Sequence, residues 1–193
     1  MRSGENAYKL MLVKWFLVGA LMAGSVVWLH AADLDQAGKE YEQAIGDQSR
    51  GDYKGAAQLF DDILANYPST QNIDEIRLNA GIAHLHDKDY DGTVSILAKL
   101  AADNGPAEYR APALYYTSYA QLLKGGGATG PDHDTTLTQC VATLTTLIQY
   151  IIKNPSADNN EYLELSYYNR ALAYMYMDKI TDSVNDVNTL LKQ

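Results

Sequence analysis

The residues of this 193-residue chain that could do chemistry are four histidines, one cysteine, a glycine-rich run and fifteen tyrosines. His84 and His86 lie two apart on a predicted helix, so they point roughly 200° apart and cannot chelate one ion from one face. His30 falls in an apolar N-terminal stretch. His133, flanked by Asp132 and Asp134, is the one place where metal-ligating residue types crowd together, and loop solvation accounts for them more simply. Cys140 stands between Gln139 and Val141 with no basic neighbour in sequence, which reads as a core thiol and not a nucleophile. The run from Gly125 to Gly130 lacks the Lys-Ser/Thr that completes a phosphate loop. No catalytic residue, cofactor or metal is therefore expected.

The tyrosines outnumber the two phenylalanines and crowd into two groups. Tyr109, Tyr115, Tyr116 and Tyr119 form one; Tyr162, Tyr167, Tyr168, Tyr174 and Tyr176 form the other. Tyr115 and Tyr119 are four apart and share a helix face. Tyrosine offers apolar area with a polar tip, which suits a binding surface as well as the space between packed helices.

The elements that must position these residues are announced by an internal echo. Leu78–Leu100 and Tyr168–Leu190 match ninety residues apart: Asn79 falls on Asn169, Gly81 on Ala171, Ala83 on Ala173, Thr93 on Ser183 and Val94 on Val184. Each stretch reads as a helix, a break and a second helix, the mark of a stacked array. Further along, Gly51-Asp52 and Asp87–Asp89 read as tight turns, and Tyr67-Pro68, Gly105-Pro106 and Asn154-Pro155 as helix ends. A fifth helix is predicted over about Glu108–Leu123, with Pro112 tolerable only in its first turn. Lys124–Asp134 is predicted as a long flexible loop and Ser156–Asn160 as a turn. The final helices are placed at Tyr162–Met177 and Thr181–Leu191. These elements amount to eight helices in four units: 34–68, 72–105, 107–155 and 160–193. The fold class is all-α, a right-handed superhelical stack of helix-turn-helix repeats.

The balance of 15 basic against 24 acidic residues gives a net charge of −9, which repels phosphate backbones and disfavours nucleic acid as a partner. Arg2, Lys9 and Lys14 precede fifteen uncharged residues from Trp15 to Leu29, and Ala31-Ala32 precede the acidic Asp33. That order describes a secretory signal peptide over residues 1–32. Fifteen residues fall short of the ~20 that span a bilayer. The expected location is periplasmic or secreted; the alternative is an uncleaved inner-membrane anchor, the only route to a membrane.

With its turns and small residues in place, the chain resembles a tetratricopeptide-repeat protein of the irregular kind exported by bacteria. The resemblance rests on Gly51-Asp52-Tyr53, Ala56, Phe60 and Pro68 in the first unit and on Gly81 and Asp89-Tyr90 in the second. Tyr168-Asn169-Arg170-Ala171-Leu172-Ala173-Tyr174 carries it in the fourth. It implies a concave groove lined by first helices, with Tyr41, Ile45, Leu78, Ile82, Tyr115, Tyr119, Tyr168 and Leu172 facing it. Asn79 and Asn169 occupy the place where some relatives hold a ligand's backbone. The expected function is a non-enzymatic scaffold of the cell envelope, gripping a peptide or protein segment. The named candidates are Tyr115, Tyr119, Tyr168, Asn169, Leu172, Asn79 and Ile82. The alternatives are a small-ligand or enzyme-accessory protein with Lys124–Asp134 as a lid, and a membrane-anchored scaffold. The last helix leaves Val184, Val187 and Leu191 as an open apolar stripe, so weak self-association is expected there.

Overall fold

The structure is a computed structural model that describes residues 36–192, so residues 1–32, where a signal peptide is predicted, lie outside the described residues. Among those residues every regular element is a helix. α1 covers 36–49, and it is followed by α2 (Tyr53–Asn66), α3 (Ile73–His86) and α4 (Tyr90–Ala101). Then come α5 (Ala107–Gly127), α6 (Pro131–Lys153), α7 (Ala157–Tyr176) and α8 (Ile180–Leu190). Each helix packs on its successor, which makes four stacked hairpins. No described helix is long and apolar enough to cross a membrane.

Three of the four hairpins turn in the same way. Gly51, Lys88 and Asp178 adopt left-handed φ of 81°, 66° and 56°, just past the ends of α1, α3 and α7. The amide of the next residue then reaches back five places: Asp52 to the Asp47 carbonyl, Asp89 to His84 and Lys179 to Tyr174, each at 2.9 Å. This is a Schellman closure, which satisfies carbonyls that a helix end leaves bare. Asp52 and Asp89 then cap the following helices by accepting from the Gly55 and Gly92 amides.

The third hairpin differs, and here the expectation of a long loop is corrected. α5 continues through Gly125–Gly127, and only Ala128–Gly130 separate it from α6. The reason is packing. A Cβ on Gly125 would meet Leu137 Cγ at 2.8 Å, so the bare backbone lets α5 and α6 touch. Gly130 supplies the left-handed residue (φ 71°), and Pro131 opens α6 where its missing N–H is harmless. Two smaller corrections follow. Ser156 caps α7 by accepting from the Asn159 amide, so the helix begins where a turn was expected. Pro112 is the sixth residue of α5 and not in its first turn.

The core runs along the stack in four patches. Phe60, Ile63, Ile76 and Ala80 join α1–α3; Leu97, Leu100 and Ala113 join α4 to α5. Ala111, Leu147 and Ile151 tie α5 to α6, and Leu137, Cys140, Leu144 and Ala173 bring in α7. Direct contacts also link α3 to α5 and α5 to α7, with no comparable contact between even-numbered helices among the described residues. The first helices of the hairpins thus form one continuous layer, the inner side of the stack.

Candidate functional site

The inner layer divides into two regions with different chemistry. At its N-terminal end the Asn79 amide donates to the Tyr41 hydroxyl at 3.2 Å, and that hydroxyl donates to Glu75 Oε1 at 3.0 Å. Burial and the Glu75 carboxylate raise the Tyr41 pKa. Asn79 is thereby spent on holding α1 against α3. Ile82 is half-buried on the same helix.

The C-terminal region is built from α5 and α7, and it gathers the remaining candidates. Tyr115 lies parallel to Tyr119 with ring centroids 6.1 Å apart, and tilts against Tyr162 of α7 at 5.2 Å. Burial raises its pKa, which the side chain of Asn169 partly offsets. Beside this cluster opens a hollow of about 290 Å³. Its predicted walls are Tyr119, Tyr168, Asn169 and Leu172. The residues that sequence reasoning missed are Leu122, Leu123, Gly126 and Tyr176. Those follow Tyr119 by three, four and seven, and Tyr168 by eight; helical spacing within the predicted helices marks all but Gly126, which needs the helix to run on through the glycines. Tyr115 is not part of the wall; it buttresses Tyr119 from behind.

Two features of the hollow bear on what it can hold. None of its lining residues is charged, while its leucines and tyrosine rings offer apolar area. Asn169 is only 4% exposed, and its amide is turned toward the Tyr115 hydroxyl behind the wall, whose pKa it lowers.

The floor of the site is held by interactions that no motif announces. Arg170 grips Asp186 of α8 through Nε and Nη2 at 2.8 and 2.7 Å, and its Nη1 donates to Thr145 of α6 at 2.9 Å. One guanidinium thus fixes three helices, directly beside Asn169. His133 performs a similar task at the rim. Its ring nitrogens face the carbonyls of Gly125 (Nδ1, 2.9 Å) and Tyr176 (Nε2, 3.0 Å). Two acceptors favour the doubly protonated ring, and the Tyr176 carbonyl is the largest cause of its raised pKa. His133 is therefore a clamp between the ends of α5 and α7.

The other chemistry-bearing residues are likewise occupied. His84 sits between Asp61 (3.0 Å) and Asp89 (2.8 Å), while His86 stacks on Tyr53 with centroids 4.5 Å apart. Cys140 is fully buried, its thiol points to the Ser118 carbonyl at 3.3 Å, and burial pushes its pKa up to about 12. Among the described residues no group of histidines, cysteines and acids is arranged to hold a metal ion. No family model, no curated protein and no solved structure matches this chain.

Proposed function

We propose that this chain is an exported, non-enzymatic helical-repeat module of the tetratricopeptide kind, which binds a peptide or protein segment across α5 and α7. The observation that carries this reading is the uncharged hollow walled by Tyr119, Tyr168 and Leu172. Its uncharged lining selects an apolar or aromatic side chain. Tyr168 is 55% exposed and Tyr176 and Leu123 are exposed beside it, so the hollow is open along one side. That openness suits one anchored side chain of a longer segment better than a small ligand, which pockets usually enclose by 70–90%. A small apolar ligand remains the second reading, favoured by the hollow's bounded volume.

The test is selection of peptides from a random displayed library against the folded chain, followed by titration of the selected peptides. Alanine at Tyr119, Tyr168 or Leu172 is expected to weaken binding by about 1–2 kcal/mol each. Peptides that bind with full affinity to the Tyr119→Ala/Tyr168→Ala variant would overturn the assignment. A library yielding no binder, with an apolar fluorophore bound at the same residues, would support the small-ligand reading instead.

A further inference from the structure

Exposed large apolar side chains are concentrated in the last hairpin: Leu165, Tyr168, Met175 and Tyr176 on α7, then Ile180, Val184, Val187 and Leu191 on or just after α8. The second group is a separate surface. Its residues are spaced four, three and four, which places them in a single seam on α8 with the d–a–d–a spacing of paired helices. The seam lies about a quarter-turn around the helix from the inward residues Asp186 and Leu190. The same positions of α4, ninety residues earlier, are Tyr90, Val94, Leu97 and Ala101. There Leu97 is fully buried, and it and Ala101 pack with Ala113, Tyr109 and Tyr116 of α5. This face of a second helix is thus one that the fold covers, by α5 and, at Leu97, also by α3. On α8 no described element covers it, and Leu191 is 80% exposed.

We infer that the α8 seam pairs with the α8 seam of a second copy of this chain, antiparallel about a two-fold axis. The charge pattern favours that occupant. A chain of net charge −9 repels its own copy, yet the residues flanking the seam along its length, Thr181, Ser183, Asn188 and Leu190, carry no charge, and the charges adjoining its two ends are the exposed Lys179 and Lys192 and not carboxylates. The nearest carboxylate on the inward side, Asp186, is neutralised by Arg170. Antiparallel pairing sets Val184 against the partner's Val187 and Ile180 against the partner's Leu191, so one sequence complements itself and the assembly closes at two. An eleven-residue helix is only about 16 Å long, so the contact belongs to the small, weak class of interfaces.

Sedimentation of the intact protein over a wide concentration range tests the pairing. A monomer–dimer equilibrium is expected, and Val187→Asp should raise its dissociation constant by about tenfold or more, since the seam would have to bury a charge. Circular dichroism of that variant should match the parent, because Val187 is already 43% exposed. Geometry is read by oxidation of mixed single-cysteine variants, with buried Cys140 inert. Val184→Cys combined with Val187→Cys should give the mixed disulfide in preference to either self-pair. A strict monomer, a ladder of larger oligomers, a dimer insensitive to Val187→Asp, or preferential self-pairing would each overturn the inference. All of these outcomes leave the α5–α7 hollow untouched.

Discussion

The α3–α4 and α7–α8 hairpins are two solutions to the same packing problem, written ninety residues apart. Both turn through a left-handed residue, Lys88 or Asp178, and both place a small residue, Gly81 or Ala171, where the helices cross. They differ in how the two helices are locked. In the earlier hairpin the positions matching Arg170 and Asp186 are Ala80 and Ile96, an apolar contact beside the core of α1–α3. Its charges are kept at the edge, where His84 bridges Asp61 of α2 and Asp89 at the start of α4. The later hairpin carries its charge pair inside, with Asp186 5% exposed. A hairpin in mid-stack is covered on both sides and can be held by packing. The last described one has fewer neighbours, and a bidentate ion pair supplies the fixed geometry that packing supplies elsewhere. That fixed geometry holds Asn169 and Leu172 in the wall of the hollow.

Breaking the internal pair should have the largest effect. Asp186→Ala leaves the Arg170 guanidinium half-buried without its carboxylate, and the expected loss is about 3 kcal/mol in urea unfolding. Copying the earlier hairpin, Arg170→Ala with Asp186→Ile, should recover most of it. A double variant as unstable as the single one would show that the two hairpins are not interchangeable at these positions.

The crossing residues come next. A Cβ on Gly81 would already meet Leu97 Cγ at 2.5 Å, so Gly81→Leu should overpack the crossing at about 1–3 kcal/mol. Ala171→Leu is expected to cost less, because the facing edge of α8 is more open. Neutrality of both substitutions in thermal unfolding would mean that the ninety-residue register is wrong.

The smallest effect sharpens the contrast through pH. His84 has a pKa raised above 6.5, with the Asp61 hydrogen bond the largest cause. Its stabilisation is full below that unfolded value and is lost as pH rises through the higher folded value. Asp89 behaves oppositely: its pKa is held below 3.8, first by the Gly92 amide, so its contribution is lost on acidification below that value. The earlier hairpin should therefore loosen as pH climbs from 6.5 through the raised folded value of His84, while the arginine-locked hairpin does not. Unfolding free energies of the parent and His84→Gln across that range read the difference. The variant should show a shallower decline, with the remainder from the His133 clamp; an unchanged slope would remove His84 from the account.

Much of the fold was legible from local chemistry. Small residues, aspartate caps and tight turns recur at fixed intervals, and each acts within a few residues of itself. The glycine run was misread for an instructive reason. A glycine in a helix is unfavourable by about 1 kcal/mol, so three together read as a break. That local penalty is outweighed once Leu137 packs on the bare backbone at Gly125 and Tyr176 lies over Gly126. The same misreading hid one edge of the hollow, since Gly126 shares a face with Tyr119 only if the helix continues past Leu123.

By itself, then, the sequence determined an all-helical stack, its four hairpins, their small-residue crossings and the tyrosine-rich first helices. These follow from periodicity, capping and side-chain size, which act locally. Only the tertiary structure decided that Arg170 meets Asp186, that His133 joins two helix ends, and that Asn169 turns to Tyr115 while Asn79 is spent on Tyr41. Each of these depends on the distance between residues 8 or more apart in sequence, fixed by how hairpins pack rather than by how any one of them forms.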